Sequence, residues 1–264
     1  MRVATWNVNS VTVRLPKLLD WLASAAPDVV CLQELKNPPE AFPHAEIGAL
    51  GYQAAVHADG RWNGVAVVSR VGLDDVVAGL VGQPRFDGAD EPRAIGATCG
   101  GVRLWSVYVP NGREPENPHY SYKLDWLEAL RSTVADEAAA PTPFAVLGDF
   151  NVAPTDADVW DRAAFDGQTH VTERERAALA ALRDLGLTDV FPRPLKHDHP
   201  FTYWDYRGGN FHKNLGLRID LVYANAAFST AVTDAYVDRE ARKGSVKEGK
   251  GPSDHAPVVV DLAL

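Results

Sequence analysis

The chain has 264 residues, a formal net charge of −9, 46% hydrophobic residues and 23% charged residues. This composition is ordinary for a soluble globular protein with a large core, and no apolar run approaches the length of a membrane span. The acidic balance argues against a protein that coats nucleic acid through its overall charge. An enzyme could still bind a polyanion through metal ions and a local basic patch.

The length is compatible with one large α/β or sandwich domain, and we expect a single domain over residues 1–264. Cys31 and Cys99 lie in apolar runs, which favours buried, reduced thiols over a disulfide or a cysteine-based zinc site. The first residues are strand-like and lack the apolar core of a signal peptide. A cytoplasmic protein is therefore expected.

Hydrophobic patterning predicts an alternation of strands and helices. Strands are predicted at residues 2–7, 28–35, 52–57, 64–70, 93–98, 102–109, 144–147, 201–206, 219–224, 229–237 and 257–264. Helices are predicted at residues 15–25, 41–50, 120–139 and 172–185, the first opened by Pro16 and the last by a capping box of Thr172 and Glu175. This order indicates one α/β domain with two packed β-sheets and helices outside.

Residues 144–153 end a buried run with a glycine, Asp149 and Asn151. Residues two apart on an extended chain project to the same side, so this carboxylate and amide would point together. An Asx turn closing an ordinary strand would explain the pair equally well. The choice depends on whether other strands end in polar residues.

Polar residues also lie at the ends of other predicted strands: Asn7, Glu34, Tyr108, Asp220, Asp254 and His255. Each has an ordinary structural explanation, although Asp220 lies between Ile219 and Leu221 and needs a partner. Four carboxylates gathered on one rim would require a cation, and oxygen ligands select Mg²⁺ or Mn²⁺. A metal, a base, an imidazolium and neutral donors suit the attack of water on a phosphodiester.

Seven motifs along residues 2–264 resemble the exonuclease III family of apurinic/apyrimidinic (AP) endonucleases. They are Trp6-Asn7-Val8-Asn9, Leu32-Gln33-Glu34-Leu35-Lys36, Asn63-Gly64-Val65-Ala66, Tyr108-Val109-Pro110-Asn111, Gly148-Asp149-Phe150-Asn151, Arg218-Ile219-Asp220 and Ser253-Asp254-His255-Ala256-Pro257. The resemblance implies a DNase I-like, four-layered α/β sandwich. It also implies cleavage 5′ to abasic sites in double-stranded DNA, with 3′→5′ exonuclease and 3′-phosphatase activity on blocked 3′ ends, by a monomer.

The resemblance also implies a role for each strand-end residue. Glu34 would be the main metal ligand, with Asn7 nearby and Asp254 at the same metal cluster or its outer shell. Asp149 would position or deprotonate water, and Asn151 would bind the scissile phosphate.

The remaining catalytic roles follow from the same resemblance. His255, oriented by Asp220, would bind a phosphate oxygen. Tyr108 would contact the phosphate or assist departure of the 3′-oxygen.

The family resemblance further implies DNA-binding residues. Tyr203 and Trp204 are expected at the abasic-sugar pocket. Arg207, Leu217 and the segment around Lys213 are expected where DNA is wedged, and Arg113 is a further candidate for DNA contact. A local excess of basic residues is expected to face phosphate: Arg239, Arg242, Lys243, Lys247 and Lys250.

The sequence also contains patterns that are typical of other functions. Residues 244–251 resemble a phosphate-binding loop, but the final Ser/Thr is absent. His197 and His199 could bind zinc, but no third ligand is evident. The alternatives left open are another metal-dependent phosphodiesterase or phosphatase of the same fold and a catalytically silent binding module.

Overall fold

The computed structural model describes residues 1–244 and 251–264. The strands in chain order are β1 (Arg2–Asn7), β2 (Val29–Gln33), β3 (Gln53–His57), β4 (Val65–Ser69), β5 (Asp74–Ala78), β6 (Ala94–Cys99), β7 (Val102–Tyr108), β8 (Phe144–Asp149), β9 (Thr188–Asp189), β10 (Arg193–Pro194), β11 (Asp220–Ala224), β12 (Val232–Val237) and β13 (Val258–Leu262). The helices are α1 (Val11–Ala25), α2 (His44–Gly48), α3 (Pro118–Ala138), α4 (Glu173–Arg183), α5 (Asn210–Lys213) and α6 (Ala226–Ala231).

The strands form two mixed sheets. In the described residues, the first sheet has the order β10-β12-β13-β1-β2-β4-β3 and the second has the order β5-β6-β7-β8-β11-β9. Short 3-10 helices occur at Pro39–Ala41, Asp156–Asp158, Arg162–Phe165, Arg207–Gly209 and Arg239–Arg242. No helix in residues 1–244 or 251–264 is both long and apolar enough to cross a membrane.

The strand β8 shows how the layers are built. Ala145 and Leu147 face the core between the two sheets, whereas Phe144 and Val146 face α3 and α4 on the outside. This alternation is the period of two that buries both faces of a strand. Because α1 and α2 cover the outer face of the first sheet, the architecture is the predicted four-layered sandwich, and that prediction is confirmed.

The two cysteines are buried inside the sandwich, as expected from the sequence. Cys31 and Cys99 are free and fully buried between the sheets. Burial raises the pKa of both thiols, so they are protonated and unreactive at neutral pH.

Some element boundaries differ from the predictions. The helix α1 begins at Val11, with Ser10 Oγ accepting a hydrogen bond from the Val13 N–H, so Pro16 lies inside the helix and does not open it. The predicted strand at 201–206 is reduced to isolated bridges from Tyr203 to Leu217 and His255. The predicted strand at 229–237 begins as α6, and the exposed edge strand β5 was not predicted.

Strand register brings the strand-end residues together. Asp149 is opposite Tyr108 on the parallel neighbour β7 and opposite Asp220 on the antiparallel neighbour β11. Asn7 ends β1 beside the end of β2, where Glu34 follows Gln33. Polar groups from both sheets therefore meet at one end of the sandwich.

Gly148 makes this register possible. Its φ is +154°, and a Cβ at this position would lie 1.9 Å from the Val107 carbonyl oxygen on β7. Any side chain there would push β8 away from β7 immediately before Asp149.

We expect Gly148→Ala to destabilise the protein by about 3 kcal/mol or more, because a backbone clash in a packed core cannot relax locally. Gly48→Ala is the matched control, since nothing lies within 4 Å of its added Cβ, and it should change stability by about 1 kcal/mol at most. Chemical denaturation measures both. Equal stabilities of the two variants would contradict the role given to Gly148.

Candidate active site

Asn7 joins the two sheets at the site. Its Nδ2 donates to Glu34 Oε1 at 2.7 Å and to Asp149 Oδ2 at 2.9 Å. Its Oδ1 accepts from the backbone N–H of Asn9 at 3.0 Å, which fixes the orientation of the amide. Asn7 therefore presents N–H groups to the two carboxylates and orients them. Its expected place in the metal site stays a prediction.

His255 forms a buried pair with Asp220. The Nδ1–H of His255 donates to Asp220 Oδ2 at 2.8 Å, and Nε2 lies 3.8 Å from Asp149 Oδ2. Burial alone would lower the pKa of His255, but the negative charges of Asp220 and Asp149 overcome it and raise this pKa to about 10. His255 is therefore an imidazolium at neutral pH, with both ring nitrogens as donors.

Asp149 is a buried carboxylate that lies beside two others. Burial raises its pKa to about 7, with Asp220 and Glu34 adding to the rise and His255 opposing it. Burial would raise the pKa of Glu34, but Lys36, the Asn7 hydrogen bond and the charge of His255 together lower it. Asp149 is thus poised to gain or lose a proton near neutral pH, as a general base requires.

The donor set fits a hard divalent cation. One ligand atom each from Glu34, Asp149 and His255 lies within 4.8 Å of the others. His255 Nδ1 is engaged by Asp220, and the carboxylates of Glu34 and Asp149 supply the oxygen ligands of this group. These oxygens match the preference of Mg²⁺ or Mn²⁺, and a cation would offset the burial and the negative charges that raise the pKa of Asp149.

Asp254 lies one link away from this group. Its Oδ1 accepts from Asn9 Nδ2 at 3.0 Å, and Lys36 Nζ bridges Asn9 Oδ1 at 2.6 Å and Glu34 Oε2 at 2.8 Å. The geometry thus gives Asp254 the outer of its two predicted positions, where it supports Lys36 and Glu34 through Asn9.

Tyr108 is held by a residue that the sequence did not reveal. The guanidinium of Arg93 lies 4.7 Å from the centroid of the Tyr108 ring, and its Nη1 donates to the Tyr108 carbonyl at 3.3 Å. Arg93 is itself fixed by Glu91 at 2.6 Å. Burial and the nearby Glu34 raise the pKa of Tyr108, so its hydroxyl stays protonated and can donate.

Asn151 begins the loop after β8 in a left-handed conformation, with φ of +51°. Its backbone N–H donates to Asp149 Oδ1 at 2.9 Å, and its Nδ2 donates to the Val109 carbonyl at 3.0 Å. Its Oδ1 accepts from Asn111 Nδ2 at 3.2 Å. Asn151 thereby links the ends of β7 and β8 next to Asp149.

A pocket of about 380 Å³ opens beside the catalytic group. Tyr203, which was expected at a sugar pocket, lines it with Leu217, Arg113 and the unpredicted Trp160 and His170. The Tyr203 ring packs on His255 with 4.9 Å between centroids, which joins the pocket to the catalytic group.

The burial of Trp204 and Leu217 corrects two of the predictions about DNA contact. Trp204 is 1% exposed, packs on Phe211 and donates to Asn214 Oδ1, so it belongs to the core and does not reach the pocket. Leu217 is 3% exposed and forms the pocket wall, which excludes a protruding wedge.

The basic residues divide into two groups. Arg207 and Lys213 are exposed, Arg207 next to Asp205 at 3.0 Å. Arg239 and Arg242 are instead buried against Phe211, with centroid distances of 3.9 and 5.0 Å, so their predicted phosphate contacts are not matched. Lys243 pairs with Glu240.

The remaining predicted residues lie outside the described residues or have a different role. Lys247, Lys250 and most of the segment resembling a phosphate-binding loop lie outside the described residues. His199 stacks flat on Phe201 at 5.1 Å, which gives it a packing role.

The site and the fold define a class of enzyme: a metal-dependent hydrolase of phosphodiester bonds. A model of the Endonuclease/Exonuclease/phosphatase family matches residues 4–255. The chain belongs to this family.

Named relatives agree with this assignment. The 3′-5′ exonuclease NExo from Neisseria meningitidis is 39% identical, with full coverage of both chains and a TM-score of 0.91. An AP endonuclease from Archaeoglobus fulgidus is 32% identical, also with full coverage of both and a TM-score of 0.90. Exodeoxyribonuclease III of Haemophilus influenzae is 27% identical over 98% of each chain. The predicted family, fold and enzyme class are confirmed.

We expect Asp220→Asn to lower the pKa of His255 from about 10 by several units, because it removes the closest negative charge from a buried imidazolium. The ring-nitrogen NMR signals of His255, titrated in chelator, measure this shift. Asp254→Asn is the control and should lower the pKa much less, since Asp254 contributes least among the carboxylates that raise it. An unchanged pKa in Asp220→Asn would contradict the pairing.

Proposed function

We propose that this protein is a Mg²⁺-dependent DNA-repair nuclease that hydrolyses the phosphodiester 5′ to abasic sites in duplex DNA. It also trims or dephosphorylates 3′ ends, and it acts as a monomer. The observation that carries this proposal is the buried group of Glu34, Asp149, Asp220 and His255 at the meeting point of the two sheets. The names of its relatives support the choice of DNA as substrate.

The catalytic residues divide the work of hydrolysis. Asp149 accepts the proton of the attacking water, which its pKa of about 7 permits. The His255 imidazolium, kept charged by Asp220, donates to a phosphate oxygen as negative charge develops there.

The neutral donors and the metal complete the site. The amide of Asn151 and the hydroxyl of Tyr108 give hydrogen bonds to the phosphate and the departing 3′-oxygen. Mg²⁺ held by Glu34, with Asp149 beside it, would supply positive charge to the transition state.

The pocket beside His255 supports recognition of a displaced sugar. Tyr203 and Leu217 offer an apolar surface for a deoxyribose without its base, and the exposed Arg113, Arg207 and Lys213 offer charge to the flanking phosphates.

Processing of 3′ ends is a second candidate for the main activity. Its support is that NExo, named as a 3′-5′ exonuclease, is 39% identical to this chain, whereas the named AP endonuclease is 32% identical. Parallel assays on an abasic duplex, a recessed 3′ end and a 3′-phosphate would rank the two activities. Assays on phospholipid and poly(A) substrates test whether this protein has the activity of another phosphodiesterase of the same fold.

A duplex with one abasic analogue should be nicked 5′ to the lesion in Mg²⁺ and left intact in excess EDTA, because the buried carboxylates need the cation. Denaturing electrophoresis of an end-labelled strand measures both the position and the rate of cleavage. Full cleavage in excess EDTA would sink the metal-dependent mechanism.

Asp149→Asn should reduce kcat by about 10³-fold or more, because the amide cannot accept the proton of water. Steady-state cleavage rates measure the loss, with Asp125→Asn on the exposed face of α3 as the control that should keep full activity. Near-normal turnover by Asp149→Asn would refute the role assigned to Asp149.

A further inference from the structure

A buried ion pair lies behind the active site and takes no part in the chemistry described above. Lys123 of α3 and Glu175 of α4 contact each other directly, and both side chains are 0% exposed. Removing two charges from water is expensive, and packed hydrophobic residues often serve stability equally well. The contacts that this pair makes indicate what else it does.

Lys123 binds the two loops that leave the catalytic strands. Its Nζ donates to the Asn151 carbonyl at 2.7 Å, after β8, and to the Asn111 carbonyl at 3.1 Å, after β7. It also contacts Thr169 Oγ1 at 3.3 Å. One ammonium group therefore holds the loops that carry Asn151 and its partner Asn111.

Glu175 binds the third wall of the site, which is the loop before α4. Its Oε1 accepts from Thr169 Oγ1 at 2.7 Å and from the His170 N–H at 3.0 Å. Its Oε2 accepts from the N–H and the hydroxyl of Thr172 at 3.0 and 2.8 Å. The capping box predicted from sequence is thus also the anchor of Lys123.

The conformation of Asn151 depends on these bonds. Its φ of +51° is uncommon for a residue with a side chain. Its carbonyl is held by Lys123 and by His170 Nδ1, which donates at 2.5 Å. With the backbone held, the Asn151 N–H stays bonded to Asp149, and the Asn151 side-chain amide stays bonded to Asn111.

We propose that Lys123 and Glu175 are positioning residues, which hold Asn111 and Asn151 in the geometry that phosphodiester cleavage requires. The proposal rests on the proposed function, because it takes Asn151 as a phosphate-binding group. An ion pair of this kind acts through geometry, so its loss should lower kcat more than it changes KM.

The decisive variant is the double substitution Lys123→Met and Glu175→Gln. It removes both charges together, so neither is left unpaired, and stability should recover relative to Lys123→Met alone. The donors to Asn111 and Asn151 are still absent. We expect the double variant to melt near the wild type, with kcat lowered about 100-fold and KM changed by less than about threefold.

A matched control uses an ion pair away from the site. Arg103 and Glu137 contact each other at 2.7 Å between β7 and the end of α3. The double variant Arg103→Met and Glu137→Gln should keep wild-type kcat even where its stability falls.

A milder variant covers the case in which the double substitution does not fold. Thr169→Val is nearly isosteric and removes the hydroxyl that contacts Lys123, Glu175 and the Asn111 carbonyl. It should keep its fold and lower kcat by about tenfold. Wild-type kcat in a folded double variant, or in folded Thr169→Val, would overturn the proposal.

All rates are taken relative to the wild type on whichever phosphodiester substrate the wild type cleaves. An inactive wild type would refute the proposed function itself. An active wild type with lower kcat in the variants would support the positioning role. An active wild type with unchanged kcat in the variants would overturn that role alone, so failure of the positioning role and failure of the proposed function are distinguishable.

Discussion

Mutually repelling carboxylates lie together in a buried site, and the fold must hold them there. Glu34, Asp149 and Asp220 come from three segments and both sheets, and the pKa of Asp149 is raised to about 7 by burial and by the other two. His255 offsets part of this charge, and the rest is available for a cation. The fold must hold these groups at close range because nothing in their own electrostatics would do so.

The sandwich provides that restraint through register. β7, β8 and β11 align Tyr108, Asp149 and Asp220 in one row, and Asn7 connects this row to Glu34 across the sheets. Behind the row, Lys123 and Glu175 hold the loops that follow the strands. Stability of the strands and positioning of the chemistry are therefore properties of the same contacts.

The grouping of the candidate catalytic residues was predictable because they lie at or next to the ends of buried strands, and strand ends collect at the rim of a sandwich. The residues expected to face DNA were harder to place from sequence. Tyr203 and Trp204 are adjacent in an extended segment, so their side chains point to opposite sides, and the sequence does not say which side faces the pocket.

The role of Lys123 was also beyond sequence reasoning. A lysine and a glutamate on two helices normally belong to solvated faces, and their 52-residue separation gives no sign of contact.

Asn7 was recognised as part of the site, but the direction of its amide became evident only from the Asn9 N–H that fixes it. The misplaced strand at 201–206 has strand-forming residues but pairs through a single residue, Tyr203.

Thermal melting with and without Mg²⁺ shows whether the buried carboxylates hold a cation. Glu34→Gln keeps the shape and an acceptor for Asn7 while it removes the charge that binds the metal. Mg²⁺ should raise the Tm of the metal-depleted wild type by about 5 °C and that of Glu34→Gln much less. A wild-type Tm that Mg²⁺ leaves unchanged, or an equal rise in both proteins, would rule out a cation held by Glu34.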